Sequence, residues 1–475
     1  MDLFWNSIYG IITVLYMLYI ISTVVVVVLE NRSPVRTVAW VLVLLLIPVF
    51  GLIIYFFFGQ KFGKERNIAK RTLHSDDCSP TCSRAIPEEE RTPAYRGVMS
   101  LINNTDQSVP LYGKCTDMFT DGQSFINSLI NDIHQAQSTI HMEFYIIEDD
   151  SIGRTVRDAL VQKAKEGIEI RFIYDDVGCL KTKDKFFRPL TDAGGQVYPF
   201  LEVRFPRFSR KVNFRNHRKL VIIDGKKAYI GGMNIAERYA SSRWRDLHIR
   251  LTGDIVFSIQ DVFLRDWHFV SREYLQSPHF YPHNSHETIN CVQMQIALSS
   301  PAERWRSIRQ GLLKIILDAK KYIYIITPYF LPDEIILSAM QTAALSGVSV
   351  KLMIPEKGDN RIVNLGTRSY IYDILKCGAE VIMYKPAFIH SKLVVCDDSF
   401  VSIGSSNMDF RSFDNNFEAN CFIYDTHLAE VCRTIFQGYI LQGRTINPEA
   451  WRRRPKYIRL TESEVKMFSP LLYPT

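Results

Sequence analysis

At 475 residues the chain is long enough for two domain-sized cores plus further segments, and its formal net charge of +7 suits an anionic partner without naming one. Nine cysteines, an odd number scattered without zinc or redox spacing, exclude a disulfide framework and read as mostly reduced core thiols of a cytoplasmic protein. Cys78 and Cys82 lie close together but have no second pair with which to build a metal site.

The first 60 residues are read as a transmembrane hairpin. No charge occurs from Leu3 to Leu29, nor again from Thr37 to Gln60, and each span exceeds the roughly 20 apolar residues that cross a bilayer. A signal peptide wants a basic start and a shorter apolar run, whereas the only early charge here is Asp2. The connector Glu30–Arg36 is a tight turn carrying Arg32 and Arg36, and Lys61, Lys64, Arg66, Lys70 and Arg71 follow the second span. By the positive-inside rule, the large C-terminal part faces the cytoplasm of a multi-pass protein of the cell membrane.

Residues 61–110, with mixed charge, several prolines and little periodicity, are read as linker. A first domain, 111–290, then runs helix (121–137), strand (139–147), helix (152–165) and strand (168–174). A second, 291–475, repeats that order with helix 303–320, strand 322–329, helix 333–345 and strand 348–354. Glu166-Gly167-Ile168-Glu169-Ile170 finds an echo in Ser346-Gly347-Val348-Ser349-Val350. Strands alternating with helices predict α/β sandwiches. The repeat predicts two halves packed with pseudo-two-fold symmetry. Basic and aromatic residues interleave over 203–211, which suits an anionic surface, and Arg452-Arg453-Arg454-Pro455-Lys456 is a second basic run that lipid or plain solvent would satisfy.

Each half closes on the same motif. His217 to Asn234 reads HRKLVIIDGKKAYIGGMN, and His390 to Asn407 reads HSKLVVCDDSFVSIGSSN. Both contain His-x-Lys-x4-Asp with an Asn 17 positions after the His, in copies 173 residues apart. His and Lys two apart on an extended chain share a face. The apolar runs 220–223 and 393–396, the turn signals at Asp224-Gly225 and Asp397-Asp398-Ser399, and the returning runs 228–230 and 400–403 predict hairpins with His and Lys at one rim. Asp224 and Asp397 serve either the chemistry or only the turn. A histidine is a nucleophile or acid/base near neutral pH. Paired lysines and asparagines suit a phosphate whose transition state spreads negative charge over its oxygens. No P-loop and no metal-ligand spacing is present, so the pattern points to attack on a phosphodiester through a phospho-histidine, without metal or cofactor.

With these motifs the chain resembles the phospholipase D superfamily. The flanks Asn213-Phe214-Arg215-Asn216, Trp244-Arg245-Asp246, Asp409-Phe410-Arg411-Ser412-Phe413 and Asn416-Phe417-Glu418 are similar to those of the bacterial cardiolipin synthases, as is the stretch 39–60. The resemblance implies catalysis by His217, Lys219, Asp224, His390, Lys392 and Asp397, with Asn234, Asn407 and Ser405 supporting the phosphate. It further implies that an acidic residue orients each His: by position Glu418 for His390, and Asp246 for His217. The implied reaction passes a phosphatidyl group between two phosphatidylglycerols at an anionic membrane, giving cardiolipin and glycerol, with His217 as nucleophile and His390 as acid/base. Hydrolysis to phosphatidic acid, phosphatidylethanolamine as donor, and a membrane-tethered nuclease are the alternatives. The paired catalytic residue types disfavour a non-catalytic lipid binder. Nucleic acid is not the expected partner, and oligomeric state is not legible. Cys396, directly before Asp397, is a point of expected sensitivity to thiol reagents.

Overall fold

The computed structural model describes residues 2–29, 34–47, 50–51, 55, 80–203, 214–282, 290–301, 303 and 305–468. Its N-terminal helix Asp2–Leu29 contains Ser7–Leu29, a stretch of 23 residues long and apolar enough to cross a membrane. Tyr9, Ile12, Leu15, Met17 and Leu18 lie around this helix, each more than half exposed. A second helix, Pro34–Leu46, supplies Trp40 and Leu44, which pack with Val27 and Tyr55. Most of the expected second span beyond Leu46 falls outside the described residues. Among the described residues one helix is of spanning length, where two spans were expected. Cys78 and residues 204–211 of the basic-aromatic stretch also lie outside the described residues.

The body is mixed α/β, built on one continuous sheet. In the second half, neighbouring strands run Gly443–Thr445, Glu380–Tyr384, Ser349–Pro355, Tyr322–Ile326, Leu393–Cys396, Phe400–Gly404, Asn416–Tyr424 and Val292–Ser299. The first half continues with Leu111–Phe119, His248–Thr252, Lys227–Gly231, Lys219–Ile223, Thr139–Phe144, Glu169–Asp175 and Gln196–Phe200. Outward from the join both halves use the same order: two antiparallel strands, the motif hairpin, then parallel strands linked by helices. The join itself is antiparallel, with Leu111 opposite Met294. Parallel pairs need crossovers, and the helices Ser151–Lys165 and Glu334–Leu345 supply them. Asp150 and Asp333 start those helices by accepting from the backbone N–H of Gly153 and Ile336. The expected strand over 322–329 stops at Ile326, because Pro328 has no N–H for the ladder.

The linker reading of 61–110 requires correction where the chain is described. Residues Arg96–Asp106 form a helix, and its Val98, Met99 and Ile102 are buried against Ile308, Leu312 and Ile316 of the helix Ser307–Asp318. The Asp106 carboxylate accepts from the backbone N–H groups of Ser108 and Leu298. A segment that precedes the first half thus completes the core of the second.

Candidate active site

The two motif hairpins are built alike. Strands Lys219–Ile223 and Lys227–Gly231 pair antiparallel, as do Leu393–Cys396 and Phe400–Gly404. At the turns Asp224 has φ 54° and Asp397 has φ 50°, in the left-handed region that aspartate tolerates better than most residues. Their carboxylates act on the backbone of the neighbouring strand. Asp224 accepts from the N–H groups of Gln137, Ser138 and Thr139, and Asp397 from those of Lys320, Lys321 and Tyr322. Each Asp sits a strand length from its motif lysine, roughly 17 Å at about 3.3 Å per residue. This corrects the expected catalytic place of Asp224 and Asp397: both latch a hairpin to its sheet.

The histidines lie at the other end of these strands, where short parallel pairings cross between the halves. Arg215–Asn216 runs beside Asn416–Phe417, so that the His217 N–H donates to the Phe417 carbonyl at 2.9 Å. In the reciprocal arrangement Phe388–Ile389 runs beside Trp244–Arg245, and the His390 N–H donates to the Arg245 carbonyl at 2.6 Å. The next residue on each partner strand is the acid. His217 Nδ1 therefore meets Glu418 Oε2 at 2.9 Å, and His390 Nδ1 meets Asp246 Oδ2 at 2.6 Å. The expected assignment of Glu418 to His390 and of Asp246 to His217 is thereby reversed, because each half supplies the acid for the other half's histidine.

The two pairs are not equivalent. Glu418 also accepts from Ser405 Oγ at 2.5 Å and from Asn416 Nδ2 at 2.9 Å, whereas Asp246 accepts from the Leu247 N–H at 2.8 Å. Gly232 takes the place of Ser405 in the first motif, where a Cβ would stand 2.2 Å from Asp246 Oδ1. Lys219 Nζ donates to the His217 carbonyl and Lys392 Nζ to the His390 carbonyl. Lys392 Nζ also lies 3.1 Å from His390 Nε2. The Asn234 amide accepts from the Ile146 N–H and donates to the Tyr239 hydroxyl. Asn407 Oδ1 is buried with no hydrogen-bond partner among the described residues. Sequence reasoning missed an aromatic collar: the Tyr145 ring lies 4.8 Å from His217, and Trp244, Phe388 and Tyr329 lie 5.1, 5.8 and 6.2 Å from His390. Its sequence signal is the aromatic residue beside each motif and its flanks, at Trp244 and Phe388.

Burial dominates the electrostatics. It pushes His217 down to about 4 and His390 down to about 3, the lysines adding to the effect and the two carboxylates opposing it. It also lowers Lys219 to about 7 and Lys392 to about 8. Burial would raise the two carboxyls, but Lys392 and His390 hold Asp246 below its ordinary value, and His217 and Lys219 do the same for Glu418. Lys392 acts on His217 and Lys219 acts on His390, so the two motifs form one electrostatic site. With each Nδ1–H turned to a carboxylate, each neutral ring carries its lone pair on Nε2, and at His390 that atom faces the Lys392 amine.

Comparison with known proteins identifies the family. The family described as "Cardiolipin synthase, PLD-like domain" matches residues 129–267 and 312–440, and the family "Phospholipase_D-nuclease N-terminal" matches residues 17–60. The chain is 37% identical to cardiolipin synthase 2 of Bacillus cereus, over 94% of this chain and 89% of that one. It is 37% identical to the major cardiolipin synthase of Bacillus subtilis, over 97% and 98%. Among solved structures, phosphatidylserine synthase of Haemophilus influenzae has a TM-score of 0.59 at 14% identity, covering 80% of this chain and 98% of that one, which shows the shared fold. The paired motifs, the joined α/β halves and these relatives together place the chain in the cardiolipin synthase family of the phospholipase D superfamily.

Proposed function

We propose that this phosphatidyltransferase makes cardiolipin by two in-line displacements at the shared site. His217 Nε2 attacks the phosphorus of one phosphatidylglycerol, forming a P–N bond as the P–O bond to glycerol breaks, and His390 gives a proton to the departing glycerol oxygen. The terminal hydroxyl of a second phosphatidylglycerol then loses its proton to His390 and attacks phosphorus. The P–N bond breaks, releasing cardiolipin and restoring both rings. Lys219 and Lys392 hold the phosphate oxygens, with Asn407 and the remaining N–H of Asn234 beside them. The substrate anion favours the charged forms of the lysines and of the acid, opposing the burial that holds both rings neutral in the empty site. Glu418, steadied by Ser405, and Asp246 orient the rings.

The observation that carries this reading is the crossed pair of buried His–carboxylate contacts, which needs both halves for one site. Membrane association through the N-terminal helix brings the site to its lipids. In this reading the body faces the cytoplasm of a bacterial membrane protein with two spans, its halves related by pseudo-two-fold symmetry. Cysteine-accessibility labelling from each side of the membrane tests that topology. Mass spectrometry of lipids after incubating purified protein with phosphatidylglycerol alone tests the reaction. Cardiolipin with released glycerol supports it, whereas phosphatidic acid alone would make the chain a hydrolase. Labelled single-stranded DNA should remain uncut.

A further inference from the structure

A second charged site lies between the helix Arg361–Leu375 and the helix Lys456–Phe468. Together with residues 451–454 they line an open cleft of about 200 Å³, in which Trp451 and five cations, Arg368, Arg452, Arg454, Arg459 and Lys466, face two carboxylates, Asp373 and Glu462. Both carboxylates are already committed. Glu462 takes a bidentate pair from Arg454 at 2.6 and 2.8 Å, and that guanidinium lies 3.4 Å from the centre of the Trp451 ring. Asp373 accepts from Lys466 at 2.6 Å and from Lys376 at 2.9 Å. Arg368, Arg452 and Arg459 therefore have no carboxylate partner among the described residues. Arg368 Nε is buried and has no hydrogen-bond partner among the described residues, although its guanidinium lies 5.9 Å from the centre of the Trp451 ring.

A half-buried guanidinium with no carboxylate in direct contact, as at Arg368, can take an anion, and its planar fork fits phosphate oxygens. The same C-terminal helix turns Glu462 inward and leaves Tyr457, Leu460 and Met467 62–71% exposed. Spacings of three, seven and ten residues set these three on one side of the helix. On the helix these three stand roughly opposite the cleft-lining Arg459, Glu462 and Lys466, so the element is amphipathic, the composition of a bilayer-surface helix. None of the lining residues belongs to the catalytic site. We propose that this cleft binds the phosphate of an anionic phospholipid in the bilayer surface, a lipid other than the two that react. This goes beyond the transfer reaction and rests on the proposed reading only for the body's place at a membrane.

The test is native mass spectrometry of the detergent-solubilised full chain titrated with dioctanoyl phosphatidic acid. The wild type is compared with Arg368→Gln and Arg459→Gln, and with Arg453→Gln, an exposed arginine outside the cleft, as control. Loss of one charge-assisted contact should weaken retention of one lipid about tenfold in each cleft variant and leave the control unchanged. Inorganic phosphate at the same concentration should not displace that lipid, and dioctanoyl phosphatidylcholine should not be retained. Repeating the series in a His390→Ala background keeps the result independent of whether transfer occurs. Thermal unfolding checks the fold, and Arg459, an exposed residue at the cleft, is the variant least able to disturb it. Unchanged retention in both cleft variants, or equal retention of inorganic phosphate, would overturn the proposal.

Discussion

Replacing Glu418 by Gln separates the crossed arrangement from the simpler one in which each half orients its own histidine. The Glu418 carboxylate accepts from His217, Ser405 and Asn416, all buried. A glutamine has only one acceptor oxygen to offer these three donors, so its amide N–H₂ must face at least one of them. Loss of the charge-assisted bond to the imidazole is worth about 2–3 kcal/mol, or roughly 30- to 150-fold in rate. Asp246→Asn should cost a similar factor with phosphatidylglycerol, so rate alone does not distinguish the two. The leaving group does. From phosphatidyl-p-nitrophenol the leaving group is p-nitrophenolate, which departs without a proton as the P–N bond forms, so the burst depends on the nucleophile and hardly on the acid. With the labelled adduct mapped to His217, the burst should recover nearly fully in Asp246→Asn and remain slow in Glu418→Gln. Recovery in Glu418→Gln with the adduct still on His217 would refute the crossed pairing.

Three further outcomes follow from the same structure. Asp224→Asn should lower the free energy of unfolding by about 1–3 kcal/mol through its contacts to three backbone amides, with turnover per folded molecule within about threefold of wild type; a loss as large as that of His217→Ala would return Asp224 to the chemistry. Burial depresses His217 to about 4 and His390 to about 3 in the folded state, against about 6.5 unfolded, so between pH 6.5 and pH 4 the unfolded chain binds the extra protons. Stability should therefore fall on acidification through that window by about 1.4 kcal/mol per pH unit for each histidine, and His390→Gln should flatten the profile by one proton; an unchanged slope would contradict the burial argument. Cys396 is buried and burial pushes its thiol up, so the expected sensitivity there is corrected: N-ethylmaleimide should leave the folded enzyme active and should not label Cys396 before unfolding.

What the chain revealed in advance follows from the range over which each signal acts. The motif hairpins and the helix–strand alternation are local patterns, and both appear within a few residues of their expected limits. Ser7–Leu29 is equally local. The acid–histidine partnership is not legible in the sequence, because chain proximity links Asp246 to the first motif and Glu418 to the second, whereas the fold crosses them. The pairings that exchange them are two residues long and carry no periodicity of their own. The helix Arg96–Asp106 was hidden by its neighbourhood of prolines and charges, although Val98, Met99 and Ile102 mark one helical face. The two aspartates of the motifs are ambiguous in principle, since turn formation and catalysis ask for the same residue. Only the amides they accept from decide between them.

The exchange of acids also makes the two halves interdependent. A polypeptide severed near residue 285 would yield one piece holding His217 and Asp246 and another holding His390 and Glu418, so neither piece alone owns a complete imidazole–carboxylate couple. The two couples exist only while the halves stay joined, so either half folding by itself would leave its ring without an acid.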